Sequence, residues 1–318
     1  MTRPTLLLLL ALALTLPLSL LAGRVWIDPF HPTIAHAPVI LGELRLPRGV
    51  LALVVGAGLG GAGAAMQGYL RNPLADPGLF GIAPGAALGA VLALAFGLTA
   101  GLAMPVAALA GAAGAMALLA LIAGRAASVA LFTLAGMMIA SLAGALTSLV
   151  ISLAPNPFAL SEIVTWLMGA LSDRSWRDVL IAAPPTLVGL VALAFAGRGL
   201  DALTLGEDAA RSLGVEPGRL QATMIAGVGL TVGAGVAVAG IIGFVGLIVP
   251  HLVRRFTDRR PSALLLPSAL AGALLLLVAD MACRVAPLAA ELRLGIALSL
   301  LGAPFFLVLL LRMRRGLA

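Results

Sequence analysis

Gly197-Arg-Gly-Leu-Asp-Ala-Leu-Thr-Leu-Gly-Glu-Asp-Ala-Ala-Arg-Ser-Leu-Gly-Val-Glu-Pro-Gly-Arg-Leu-Gln221 is the longest polar run in an otherwise apolar chain. It reads as a small water-exposed helix between membrane spans. Thr204 and Glu207 have capping-box spacing, in which the threonine hydroxyl accepts from an early backbone N–H and the glutamate reaches back to the cap. Gly214, followed by Val215 and Pro217, stops the helix, because glycine takes the left-handed C′ conformation and proline cannot continue the ladder. That predicts roughly ten helical residues. Leu205, Ala209 and Leu213 share one face, with Glu207, Asp208 and Arg211 elsewhere. So short a helix is marginal alone, so its apolar stripe is expected to rest on another surface.

Working outward, hydrophobic residues make up 61% of 318 and charged residues 10%, with a mean hydropathy of +1.13. This is the composition of an all-α integral membrane protein, a single polytopic domain over residues 1–318 with the 197–221 segment set within it. The net charge of +7 comes from 20 arginines and no lysine, against 13 acids. Nucleic-acid binding would need those arginines gathered on one soluble face, and no soluble domain exists to carry them. Without lysine the chain has no phosphate-binding loop of the G-x-x-x-x-G-K-[ST] kind, so it cannot hold ATP in that way. Cys283 is the only cysteine, which excludes an internal disulfide.

Hydrocarbon about 30 Å thick needs about 20 apolar residues per helix. The sequence offers about ten spans, near 5–23, 48–67, 80–98, 102–123, 129–153, 179–196, 221–239, 241–254, 262–283 and 295–311, the eighth short and glycine-rich. Ten spans put both termini on one side. With that side cytoplasmic, thirteen arginines lie inside and seven outside (Arg24, Arg45, Arg48, Arg174, Arg177, Arg284 and Arg293), in keeping with the positive-inside rule. The 197–221 helix is then cytoplasmic. Arg3 and the leucines after it have the look of a secretory leader. Leu20 nevertheless stands before Ala22 where a second small residue is wanted, so the segment reads as a retained span.

Small residues recur at four-residue spacing in Gly56, Gly60 and Ala64, in Gly81, Gly85 and Gly89, and in Gly136, Ala140 and Gly144, which lets helix backbones approach closely in lipid. A faint echo between Gly56–Gly68 and Gly227–Gly240 is compatible with an inverted repeat. Arg45 and Arg48 flank Pro47 in the first turn of a span, and Arg284 follows Asp280 by four. The arginines read either as snorkelling anchors or as an electropositive socket for an acidic partner outside, and Arg284 either joins that socket or pairs with Asp280. Between the second and third spans, Asn72-Pro73 and Asp76-Pro77-Gly78 predict a rigid, doubly bent loop.

Leu44-Arg-Leu-Pro-Arg48, Gln67 with Arg71-Asn-Pro-Leu-Ala75, Gly206 to Gly214, Gly243-Phe-Val-Gly246 with Pro250-His251, and Gly302-Ala-Pro-Phe305 stand in order along this ten-span pattern. On these motifs the chain resembles the FecCD family, the permeases of type II ABC importers for iron–siderophores, haem and cobalamin. The resemblance implies the type II ABC importer permease fold in a bacterial inner membrane. It implies a homodimer with a central path, an ABC ATPase dimer on the cytoplasmic face holding ATP with Mg, and a periplasmic substrate-binding protein outside. This chain itself would bind no cofactor and no metal. Arg45, Arg48 and Arg284 match the family's docking arginines. Thr204, Leu205, Gly206, Glu207, Ala209, Ala210, Arg211, Leu213 and Gly214 match its coupling helix. Asn72, Pro73 and Leu74 with Ser141, Thr147 and Ser148 match the pore and gate, although serines and threonines also bond to their own helix carbonyls.

An ion-coupled carrier would place ionisable residues at mid-membrane, and the nearest candidate, Asp280, lies close to the outer end of its span. An intramembrane enzyme would need a nucleophile–base pair or a metal cluster. His31 and His36 fall in an outer loop and His251 near an inner span end, which excludes that class. Arg71 to Leu79 resembles haem permeases more than siderophore ones, so the resemblance makes haem the expected cargo, with cobalamin and ferric siderophores as alternatives.

Overall fold

A computed structural model describes residues 3–23, 25–28, 36–98, 101–124, 128–287 and 290–315. Arg24, His31 and Arg125 lie outside them. Among the described residues the chain is all helix and turn. Ten helices match the expected spans: α1 (Arg3–Leu21), α2 (Ala37–Tyr69), α3 (Ile82–Ala95), α4 (Ala103–Ala123), α5 (Val129–Ser152), α7 (Trp176–Leu203), α9 (Pro217–Ala239), α10 (Val245–Arg254), α11 (Pro261–Val285) and α12 (Leu294–Arg315). Eight of these are long and apolar enough to cross a membrane, and the 14-residue α3 and ten-residue α10 are shorter. The remaining helices are α6 (Pro157–Leu167), α8 (Glu207–Ser212) and a single 3-10 turn at Pro77–Phe80 within the segment that joins α2 to α3. The chain is a multi-pass membrane protein.

Local chemistry sets these boundaries. Pro217 and Pro261 open α9 and α11 at the position where a missing N–H costs nothing. Asn156 Oδ1 accepts from Ala159 N–H at 2.9 Å and starts α6. The helix α6 was not expected, because eleven residues between two spans are too few to register as one.

The two short helices share an origin. Each follows a long glycine-rich helix and an unwound segment: α2, residues 70–81, then α3; and α9, residues 240–244, then α10. Gly81 (φ +77°) precedes α3 and Phe244 (φ +68°) precedes α10. The α2–α3 and α9–α10 units run in opposite directions and pack on each other, with Gly58 against Thr231, so the echo between them has a structural counterpart.

The long helix α2 is the centre of the bundle, packed most closely on α11. A Cβ at Gly56 or Gly60 would collide with the carbonyl oxygens of Gly272 or Ser268, so the two backbones touch. The second small-residue stripe behaves alike, Gly85 and Gly89 meeting Gly111 and Ala107 of α4. The third does not: Gly144 has open space beside it.

Candidate functional site

Three polar regions are held at different heights on this bundle. At the end opposite α8, five charged side chains form one cluster. Arg48 donates from Nε to both carboxylate oxygens of Asp280 at 3.0 and 3.1 Å and from Nη2 to Oδ1 at 2.8 Å. Its outer edge bonds Glu291, Nη1 to Oε2 at 3.3 Å and Nη2 to Oε1. Arg284 Nε lies 3.1 Å from Asp280 Oδ2, and its Nη1 donates to the carbonyls of Ser19 and Ala22 at 3.0 and 3.1 Å. Arg45 donates to the carbonyls of Leu20, Leu21 and Val25 at 2.8, 2.8 and 2.6 Å. Two guanidinium groups thus satisfy the carbonyls at the C-terminal end of α1, where a helix leaves four unpaired and favours positive charge. Arg284 thus pairs with Asp280 within the same cluster as Arg45 and Arg48.

At the other end lies α8, and here the expected helix start is corrected. Instead of capping a new helix, Thr204 ends α7, its hydroxyl turned back to donate to Asp201 O at 2.6 Å. Gly206 breaks the chain at φ +106° and is the N-cap of α8, so the helix has six residues, not ten. The reason is that the last turn of α7 captures the hydroxyl before it can serve a cap. Gly214 ends the segment at φ +85°, as expected. Of the expected stripe, Leu205 and Leu213 are 67% and 65% exposed and so open to another surface, while Ala210 packs inward at 1% exposure. These two leucines line an open groove of about 660 Å³ with Arg198, Thr204, Arg259 and Arg260. On its inner side α8 covers Tyr69 of α2, Val129 of α5, Leu203 of α7 and Leu220 of α9.

Between these ends lies the doubly bent segment after α2. Asn72 Oδ1 accepts from Leu74 N–H at 2.9 Å and Asp76 Oδ1 from Gly78 N–H at 2.8 Å, the two turns the sequence called for. Arg71 reaches within 3.9 Å of Glu207 on α8. Phe132, in the first turns of α5, meets Tyr69 (ring centroids 5.3 Å apart) on one side and Phe80 (5.2 Å) on the other. The segment is thereby joined to both α8 and α5. Along α5, Ser141, Gly144 and Ser148 are exposed, and the Thr147 and Ser148 hydroxyls donate to the carbonyls of Ala143 and Gly144 at 2.8 and 3.0 Å.

Residues 6–312 match the FecCD transport family. The chain belongs to the FecCD family. This FecCD protein is 42% identical over 287 residues to the ABC transporter permease protein YvrB of Bacillus subtilis, covering 87% of this chain and 80% of the relative. It is 40% identical over 302 residues to the vitamin B12 import system permease protein BtuC of Vibrio cholerae, covering 93% and 89%. A solved structure of an ABC transporter of the metal-chelate type, in an inward-facing conformation, superposes with a TM-score of 0.90 at 33% identity over 97% of this chain and 98% of the other. The PsaBC structure from Streptococcus pneumoniae, at 18% identity and a TM-score of 0.54, shares the fold. The FecCD chain is an ABC importer permease with the type II fold.

Asp76 and Gln67, visible in the sequence only as a turn residue and a family marker, have further contacts in this permease. Asp76 lines a small cavity with Val55 and Leu59 of α2, Val232 and Val236 of α9, and Gly240, so a carboxylate sits beside the middle of α2 and the last turns of α9 rather than at the surface. Gln67, 2% exposed, donates to the carbonyls of Gly246 and Leu247 at 3.3 Å each and accepts from Arg254 at 2.9 Å, tying α2 to α10. Glu291 had no sequence signal, since only the fold brings it to Arg48. A recess of about 450 Å³ beside α6, lined by Phe158, Glu162, Thr165, Arg174 and Arg293, was likewise unforeseen. Burial there holds the Arg174 guanidinium below its ordinary value, against the opposing pull of Asp178 and Asp173.

Proposed function

We propose that this permease imports a bulky metal chelate of the cobalamin class, rather than haem, from outside the bacterial inner membrane to the cytoplasm by alternating access. The observation that carries this reading is 39–40% identity, over 93–96% of the chain, to permeases named for vitamin B12 import. The motif that pointed to haem is a stretch of nine residues, and likeness over the whole chain outweighs it.

In this reading two copies of the chain enclose the path, with both termini cytoplasmic. A separate ATPase dimer binds ATP with Mg, seating against α8 and the groove of Leu205 and Leu213. A periplasmic binding protein docks through acidic side chains at Arg45, Arg48 and Arg284. Asn72, Pro73 and Leu74 with Ser141, Thr147 and Ser148 form the inner gate. The contacts that support the coupling route run from Glu207 to Arg71, and from Tyr69 to Phe132 on α5.

The test is reconstitution with the cognate ATPase and binding protein, measuring ATP-dependent uptake of cobalamin, haem and a ferric siderophore side by side. Cobalamin is expected to accumulate. Preferential haem uptake would restore the first expectation, and uptake without ATPase would remove the ABC mechanism. In the same system Arg45→Glu and Arg48→Glu are expected to weaken binding-protein docking most at low salt.

A further inference from the structure

We infer that Glu291 is a built-in stand-in for the partner's carboxylate, occupying the outward edge of Arg48 until a docking protein displaces it. This rests on the docking role proposed above for Arg45, Arg48 and Arg284.

The three arginines differ in what their donors have left. Arg45 directs its guanidinium at three carbonyls of the α1 end, and Arg284, 6% exposed, pairs with Asp280 and bonds two further carbonyls, with its Nη2 buried away from solvent. Arg48 is the member of the cluster whose inner and outer edges meet different acids. Its inner edge is held by Asp280, whose side chain has no exposed surface and which Arg284 also grips. Its outer edge is held by Glu291, whose side chain is 31% exposed. An acidic side chain arriving from solvent can therefore exchange with Glu291 but not with Asp280.

The two acids also differ in what holds them. Asp280 lies on α11, one helical turn from Arg284. Glu291 lies in the short connection between α11 and α12, three residues before Leu294 opens the next helix. Releasing Arg48 would return Glu291 to water with little backbone change, so its displacement involves mainly exchange of one exposed carboxylate for another. Charge points the same way. Three guanidinium groups against two carboxylates leave the cluster one positive charge, and neutralising Glu291 would double it. A stronger positive field raises the encounter rate with an acidic face, an effect that salt screens.

Glu291 thus sets how tightly the binding protein holds. A carboxylate that competes at the socket keeps docking reversible, and it discriminates against acidic proteins that present too few carboxylates to displace it.

The experiment uses the permease–ATPase complex in lipid nanodiscs and the binding protein that supports uptake in the reconstituted system. Its dissociation constant and on-rate are measured for wild type, Glu291→Gln and Glu291→Ala at low and high salt. Both variants are expected to tighten docking about two- to five-fold at low salt, chiefly through the on-rate, with the gain shrinking at high salt. Arg45→Glu and Arg48→Glu separate the two levels of the argument. If they weaken docking while the Glu291 variants leave it unchanged or looser, Glu291 only orients Arg48 and the stand-in role is overturned. If the arginine reversals themselves leave docking unchanged, the docking role falls first and takes the inference with it.

Discussion

Asp280 is held by two guanidinium groups and has no exposed surface, so its removal would strand Arg284 and half-strand Arg48 at the end of the bundle. Breaking a buried ion pair from one side costs about 3–5 kcal/mol, whereas replacing the whole pair with apolar groups is often close to neutral. Asp280→Ala is therefore expected to lower the thermal unfolding midpoint in nanodiscs sharply, and Asp280→Ala with Arg284→Met to recover part of the loss. An Asp280→Ala protein as stable as wild type would mean that these charges are solvated in the membrane. The i, i+4 spacing of Asp280 and Arg284 was visible because it is local. Arg48 meeting both Asp280 and Glu291 was not, because those contacts join residues more than two hundred positions apart.

The element that opened the sequence reading, the polar segment between α7 and α9, carries two separable properties. Gly206 adopts φ +106° and ψ 161°, a backbone region open essentially to glycine alone, with nothing within 4 Å of where a Cβ would sit. Gly206→Ala therefore acts through the backbone, at about 1–3 kcal/mol of strain. Leu213, exposed in the groove, contributes little to folding. Leu213→Glu is expected to leave the unfolding free energy within about 0.5 kcal/mol of wild type while uncoupling ATP hydrolysis from uptake. Gly206→Ala is expected to lower both. Normal coupled transport in Leu213→Glu would reduce α8 to a linker. The location of this helix and its glycine stop were legible, since turn chemistry is written in single residues. Its start was not, because Thr204 had two possible hydrogen-bond partners and the preceding helix won it. The eighth span was legible as short and glycine-rich, whereas α3 was read as an ordinary span for a related reason: apolar runs report hydrophobicity, and an unwound stretch buried inside a bundle is as apolar as a helix.

Across the whole molecule, the faces left open are as informative as those that are packed. The side of α5 carrying Ser141, Gly144 and Ser148 is exposed among the described residues, whereas the comparable small residues of α2 and α3 are in backbone contact with neighbours. This fits a face turned to a second copy across a central path. Cys283, the only cysteine, is 3% exposed, so a thiol placed at Ser148 would react without background. Ser148→Cys in native membranes is expected to give a covalent dimer on mild oxidation or with a short bis-maleimide. Monomer alone would turn that face toward lipid. The backbone contact between α2 and α11 has a mechanical consequence of its own. With carbonyl oxygens seated where side chains would otherwise cushion the joint, the two helices cannot slide and behave as one stiff beam. That beam carries the arginine cluster at one tip and reaches the α8 contacts at the other, so a tilt imposed at either tip is delivered to the far one undiminished. In the proposed assembly, release of the binding protein and resetting of the motor would then be two readings of a single angle.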